Sequence, residues 1–115
     1  MSNTELPPKA IDLITAIDWI ERWRDPENNH KLVNSSGELI KGFLIPGQDL
    51  TEVMAETGAV DARSYIGLDP EGQFHLLIVG VDVDGDDMVN EDEGQYVYDF
   101  TKPCPPMCSK TGPLK

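Results

Sequence analysis

Residues 60–83 read VDARSYIGLDPEGQFHLLIVGVDV, two largely apolar stretches separated by the tetrapeptide Asp69-Pro70-Glu71-Gly72. Proline presets the backbone for the second position of a tight turn, and glycine accommodates the positive φ that often follows. We therefore predict a hairpin of two antiparallel strands over 60–68 and 73–83. The stretch from Leu76 to Val79 is apolar on both faces, which is typical of a strand in the interior of a sheet.

The segments around this hairpin predict two helices and two further strands. In 9–24 apolar residues recur at three- and four-residue steps after a pair of prolines that suits a first helical turn: Ala10, Leu13, Ile14, Ile17 and Ile20 after Pro7-Pro8. We expect a loop at 26–37, a strand at 39–45, a short helix at 49–57 and a last strand at 96–100. This order predicts a single α+β domain at 1–102, with an N-terminal helix and a second short helix packed on a small, mainly antiparallel β-sheet, and a Pro/Cys-containing tail at 103–115.

Two tryptophans lie beside the apolar stripe of the first predicted helix. Trp19 and Trp23 are four residues apart and off the centre of the stripe. Because large aromatic side chains usually bury most of their area, we predict that both cover the edge of the core. The alternative is a ridge that binds a partner.

The negative charge of the chain is concentrated in one segment. Seven of the 21 acidic residues fall in 82–93, and the other 14 face nine Lys and Arg in a chain of net charge −12. We predict no nucleic-acid ligand, since phosphate binding requires a clustered basic surface. The N-terminal residues lack the basic flank and apolar run of a signal peptide, and the longest apolar run is too short to cross a bilayer. We therefore expect a cytoplasmic protein with no membrane partner.

The segment 82–93 has the spacing of a twelve-residue calcium loop. Side-chain oxygens fall at loop positions one, three, five, nine and twelve, and a backbone carbonyl is available at position seven; the candidate metal ligands are Asp82, Asp84, Asp86, Asn90, Glu93 and Met88. Position six, where glycine makes the sharp turn, is Asp87, and the flanks are β-like rather than helical. A calcium-binding protein is therefore the alternative prediction.

A charged hairpin tip is the competing interpretation of the same segment. Asp84-Gly85 is a dipeptide that favours a two-residue type I′ turn. That register places Val81 opposite Met88 and sets Asp82 against Asp87, a like-charge pair that destabilises the ladder. A bound cation would relieve the repulsion, and an exposed tip would tolerate it.

A set of motifs spans the later two-thirds of the chain: Ala62 to Asp69, Gly72, Leu77 to Asp82, Gly85, Asp87, Tyr98-Asp99-Phe100 and Cys104-Pro105-Pro106-Met107-Cys108. In these motifs the chain resembles a group of short bacterial proteins of Bacteroidetes type. The resemblance implies a hairpin with a Gly-Val-Asp strand end, a glycine in the turn at Gly85 and an aspartate beyond it at Asp87. It implies no activity.

The two cysteines and two histidines offer weak alternatives. Cys104 and Cys108 enclose Pro-Pro-Met, a spacing that can close a small disulfide ring if the backbone folds back, whereas in a reducing cytoplasm we expect free thiols or a latch on the tail. A zinc site would need two more ligands, and His30 and His75 are far apart in the sequence.

No sequence motif of an enzyme is present, and we predict neither catalytic nor cofactor-binding residues. The chain lacks a Gly-x-Ser-x-Gly elbow and both phosphate-loop patterns. The leading prediction is a small, acidic, non-enzymatic binding or regulatory module with a protein partner.

Overall fold

An antiparallel sheet forms the centre of the fold in the computed structural model, which describes residues 6–28 and 32–113. The elements in chain order are β1 (Ala10–Ile11), α1 (Leu13–Arg24), β2 (Gly42–Phe43), α2 (Gly47–Met54), β3 (Asp61–Leu68), β4 (Phe74–Val81), β5 (Asp87–Met88), a 3₁₀ turn (Glu91–Glu93), β6 (Val97–Asp99) and β7 (Pro103–Cys104). The strand order of the main sheet is β1-β6-β4-β3, β5 pairs with β4, and β2 and β7 form a separate two-stranded sheet. This architecture confirms the predicted α+β class.

The β3–β4 hairpin is the longest ladder of the described structure. All eight residues of β3 pair with β4, from Asp61 opposite Val81 to Leu68 opposite Phe74. The predicted turn is present: the Asp69 N–H donates to the Gln73 carbonyl over 2.9 Å, and the Asp69 carboxylate accepts from the backbone N–H groups of two later turn residues. Strand β4 is buried over almost its whole length, as its apolar sequence predicted.

Two layers cover the sheet, because alternate side chains of β4 point to opposite faces. Leu77 and Val79 face α1 and pack with Ala16 and Val97. On the other face the core consists of Val53 from α2 together with Leu76, Ile78, Tyr98 and Phe100. We refer to the side of the sheet that carries Leu77 and Val79 as the α1 face, and to the side that carries Leu76 and Ile78 as the α2 face.

Helix α1 begins four residues later than predicted. Asp12 is its N-cap, and its carboxylate accepts the Thr15 N–H over 2.7 Å, an interaction that lowers the pKa of Asp12. Ala10 and Ile11 are therefore not helical but form β1, which pairs with β6. The helix ends at Arg24, before Asp25-Pro26, as predicted.

The predicted apolar stripe of α1 is only partly correct. Ile14 is 80% exposed and Ile17 45% exposed, whereas Ala16 is buried. Trp19 stacks on His75 and Trp23 meets Phe74 edge-on, so both tryptophans pack at the border of the core. This geometry agrees with the predicted packing role.

The remaining elements differ from prediction mainly in their ends. The expected strand at 39–45 is reduced to β2 and a single bridge between Val33 and Leu39, helix α2 begins at Gly47 and ends at Met54, and the last strand of the main sheet spans Val97–Asp99. The domain boundary that we predicted at 102 falls just before β7, which pairs with β2.

Candidate functional site

The β4–β5 hairpin turns through three residues, Val83, Asp84 and Gly85. The Asp82 N–H donates to the Asp86 carbonyl over 3.0 Å, and Gly85 has a φ of 85°. The Asp82 carboxylate also accepts the N–H groups of Asp84 and Asp86, at 2.9 and 3.0 Å. A three-residue loop that ends in a left-handed glycine is a common hairpin connection, and the predicted two-residue turn is wrong.

The longer turn shifts the strand register by one residue. Val81 lies opposite Asp87, and Gly80 lies opposite Met88. The predicted pairing of Asp82 with Asp87 is therefore wrong, and so is the like-charge clash that it implied. Because a one-residue slip moves every side chain to the other face, Asp87 lies on the α1 face.

Asp87 accepts hydrogen bonds from two side chains of β3. The guanidinium of Arg63 donates to one carboxylate oxygen and the hydroxyl of Tyr65 donates to the other. Arg63 also donates to the Gly85 carbonyl over 3.2 Å, which ties the hairpin tip to β3. The hydrogen bond to Asp87 and the burial of the ring raise the pKa of Tyr65.

The candidate calcium ligands are arranged in a different way from a calcium loop. Met88 lies in β5 and is 3% exposed, and the Asn90 side chain accepts the Asp92 N–H at the start of the 3₁₀ turn. Among the described residues, which include all of 82–93, no three acidic, histidine or cysteine side chains are placed to hold a metal ion. The candidate ligands therefore lie along a hairpin and the turn that follows it: Asp82, Asp84, Asp86, Met88, Asn90 and Glu93.

An open groove lies between one flank of α1 and the half of the sheet that carries Asp87. Its volume is about 300 Å³. The apolar part of the lining comes from both layers: Leu13, Ala16, Ile17 and Ile20 of α1, Val79 and Val97 of the sheet, and Val89, which follows β5. Polar groups of Glu21, Arg24, Tyr65 and Asp87 complete the lining. The groove is therefore apolar along its floor and charged at its rim.

Acidic groups border this groove at the sheet end. Glu91 reaches across to α1 and accepts the Leu13 N–H over 3.0 Å, so a carboxylate stands at the first turn of the helix. Asp87 lies in the groove, and the acids of the hairpin tip precede it directly in the chain. These carboxylates give this end of the molecule a negative potential.

His75 is bound by carboxylates on both sides of its ring. Its Nε2 lies 2.7 Å from Asp69, and its Nδ1 lies 2.9 Å from Asp99 and 3.1 Å from the Thr101 hydroxyl. Trp19 stacks on the ring at 4.2 Å. Burial disfavours the charged imidazolium, but the hydrogen bonds and charges of the two carboxylates outweigh it and raise the pKa of His75. Since both ring nitrogens are engaged, the arrangement stabilises the fold and leaves no free nitrogen for proton transfer.

The cysteines are joined rather than free. Cys104 and Cys108 form a disulfide with their Cα atoms 4.6 Å apart, which corrects the expectation of free thiols. Cys104 belongs to β7, so the bond closes a small ring directly after the ladder with β2. His30, named for the zinc alternative, lies outside the described residues.

Sequence reasoning missed the interactions between residues that are distant in the chain. Asp99 and Asp69 meet His75 only because β6 and the β3–β4 turn flank the same end of β4. Glu56 was also missed: its Oε2 accepts the Tyr96 N–H over 3.0 Å, its Oε1 has no partner among the described residues, and burial raises its pKa. No sequence motif marks either arrangement.

Comparisons with protein-family models, curated proteins and solved structures gave no match. The resemblance to short Bacteroidetes-type proteins therefore stays a prediction. Neither helix in the described part of the chain has the length and apolar composition needed to cross a bilayer.

Proposed function

We propose that this protein is a non-enzymatic binding module that holds an extended segment of a partner polypeptide in the groove beside α1. The open apolar groove with its acidic border carries the proposal. Its lining runs along α1 from Leu13 to Arg24, a length of about 16 Å at the rise of an α-helix. An extended chain rises about 3.3 Å per residue, so roughly five residues fit along it.

The floor of the groove suits one or two apolar side chains of the ligand. Ile17 is 45% exposed and forms part of the lining together with Val89. Covering such surface removes it from water and supplies the affinity of an anchor residue. A polar peptide without a large apolar side chain would gain no hydrophobic contribution to its affinity here.

The border of the groove favours a basic ligand. Glu21 and the neighbouring Glu91 stand around it against the one arginine of the lining, Arg24, and Asp87 is paired with Arg63. The whole chain has a net charge of −12, and this segment is its most acidic part. Lys or Arg beside the anchor would complement this potential and speed association.

The chemistry of the groove supports binding rather than catalysis. Its described lining contains no histidine, cysteine or serine that could act as a base or a nucleophile. His75 lies outside it and has both ring nitrogens engaged by carboxylates.

The proposal is tested by selection from a displayed library of random peptides about sixteen residues long, enough to fill the groove and extend beyond it. The expected sequences carry Lys or Arg on either side of a large apolar residue, and their binding weakens as salt screens the acidic border. Recovery of no peptide, or of acidic peptides, would overturn the proposal.

Two isoleucines of α1 give a matched pair of variants. Ile17 lines the groove, whereas Ile14 lies on the same helix, is 80% exposed and is not part of the lining. Ile17→Asp should weaken the recovered peptides about tenfold or more, because it places a charge at the anchor site. Ile14→Asp adds the same charge and should leave the affinity within about twofold. Equal loss in both variants would refute the groove as the binding site.

A further inference from the structure

Strand β3 is an edge strand of the main sheet along its whole length. It pairs with β4 on one side, and no other strand in the described part of the chain lies along its second side. Residues 61–64 are exposed on both faces of the sheet. An edge of this kind presents unpaired N–H and C=O groups to which another chain can add as a strand.

The hydrogen-bond pattern shows which residues of β3 face outward. The Asp69 N–H pairs with the Gln73 carbonyl, and on the far side of β4 the Phe100 N–H pairs with the Leu76 carbonyl. Since hydrogen-bonded pairs alternate along an antiparallel ladder, the odd-numbered residues of β3 bond to β4. Ala62, Ser64 and Ile66 therefore direct their N–H and C=O groups to the open side.

The open side is accessible at one end and closed at the other. Arg22 of α1 donates to the outward Leu68 carbonyl over 3.0 Å, which closes that end. At the other end Ala62 and Ser64 are small, and β3 contains no proline. The two residues of 61–64 whose backbone groups face outward, Ala62 and Ser64, are therefore uncharged, and the charged residues of the segment, Asp61 and Arg63, direct their backbone groups to β4.

We propose that the polypeptide held in the groove also adds to the open side of β3 as an antiparallel strand, an inference that rests on the proposed function. A strand in this position places alternate side chains beside Arg63 and Tyr65, and Tyr65 is itself part of the groove wall. Pairing of this kind combines backbone hydrogen bonds with recognition of alternate side chains.

The negative charge near this edge favours a strand from another protein over a strand from a second copy of this chain. Asp61 stands opposite Val81, beside the turn that carries Asp82, Asp84 and Asp86. Two copies of this chain, each with a net charge of −12, would repel each other as they approach. A basic strand has the complementary charge.

Amide hydrogen exchange of the labelled protein, measured with and without a peptide recovered from the library, tests the inference. In the free protein the Arg63 and Tyr65 amides should exchange slowly, and those of Ala62 and Ser64 fast. With the peptide bound, exchange at Ala62 and Ser64 should slow by about tenfold or more. If these two amides stay fast while Val89 and Ile17 resonances shift, the strand addition is refuted and the groove stands. If no resonance shifts, the proposed function fails with it.

Two substitutions at one position separate the backbone donor from the side chain. Ala62→Pro removes an outward N–H without touching the ladder to β4, a placement that edge strands tolerate. It should weaken the peptide about tenfold, whereas Ala62→Val, which keeps the N–H, should bind within about twofold of the parent. Equal binding by the two variants would overturn the inference. A peptide-free dimer that Ala62→Pro dissociates would also overturn it, because the edge would then belong to a second copy.

Discussion

At the scale of single residues, His75 shows how a titratable group becomes part of the fold. A histidine in a strand next to phenylalanine has no distinctive sequence pattern, yet Asp69 and Asp99 bind its two ring nitrogens and Trp19 covers one face. The imidazolium form is the one that donates to both carboxylates. Its charge is therefore paired on both sides at a largely buried site.

The raised pKa of His75 predicts a stability that falls at alkaline pH. A group whose pKa is higher in the folded than in the unfolded protein stabilises the fold fully below the unfolded value, about 6.5 for histidine. That contribution is lost as the pH rises through the folded pKa. Urea unfolding between about pH 6 and pH 9 should therefore show a decrease in the free energy of unfolding, and NMR titration should give a His75 pKa above the ordinary value.

Two variants distinguish the effect of the Asp99 contact on the pKa of His75 from the effect of the protein's overall negative charge. Asp99→Asn removes one carboxylate from the ring and should lower the pKa of His75 and flatten the pH profile. Glu27→Gln removes one exposed carboxylate at the end of α1, away from the ring, and should change neither. An equal effect of the two substitutions would contradict the assigned role.

At the scale of elements, the close approach of α1 to the sheet depends on a glycine in β3. A Cβ atom added at Gly67 would lie 3.0 Å from the Cβ of Trp19 and 3.1 Å from a methyl carbon of Leu77. Both neighbours are held in the core layer between α1 and the sheet, so neither moves freely.

Gly67→Ala should therefore destabilise the protein by about 1–3 kcal/mol, the usual cost of an overpacked core. Gly47→Ala is the matched control: this residue begins α2, has no heavy atom within 4 Å of an added Cβ, and should gain up to about 1 kcal/mol from its helix propensity. Thermal or urea unfolding measures both. A Gly67→Ala protein as stable as the parent would show that α1 does not pack as closely as described.

The elements also show what could be predicted from the sequence. The β3–β4 hairpin was predictable because its turn chemistry and its apolar pattern agree. The β4–β5 register was not, because Asp84-Gly85 suits both a two-residue and a three-residue turn. In the three-residue turn that forms, the Asp82 carboxylate accepts hydrogen bonds within the turn. In the same register Arg63 and Tyr65 bind Asp87 from another strand.

The candidate site was less predictable than the fold. The groove depends on which side of α1 meets the sheet. The apolar residues at three- and four-residue steps predicted that Ile14 and Ile17 face inward, whereas both are exposed. The short side chain of Ala16 occupies the buried position instead. A hydrophobicity count cannot detect this exchange, because small residues mark close helix packing without adding to the apolar stripe.

At the scale of the whole molecule, the charge distribution is uneven, and the acids are concentrated in the segment 82–93 that borders the groove. The seven acids of 82–93 extend over the hairpin tip and the 3₁₀ turn, and Arg63 neutralises one of them, Asp87. Such a surface attracts cations of every kind, so a diffuse attraction must be separated from a specific site. Ionic strength screens the first and affects coordination far less.

The geometry predicts that calcium does not stabilise the protein through 82–93. The Asp82 carboxylate already accepts two backbone N–H groups, Met88 belongs to a ladder, and the acids of the described chain do not form a metal-holding group. Thermal unfolding in calcium and in chelator at matched ionic strength should therefore coincide, and magnesium should act like calcium. A formed site at a hundred times its dissociation constant would add about 2.7 kcal/mol and raise the melting temperature by about ten degrees. A shift of that size, specific to calcium and lost in Glu93→Gln, would show that the loop rearranges around the ion. The acidic segment would then be explained by metal binding rather than by binding of a basic partner.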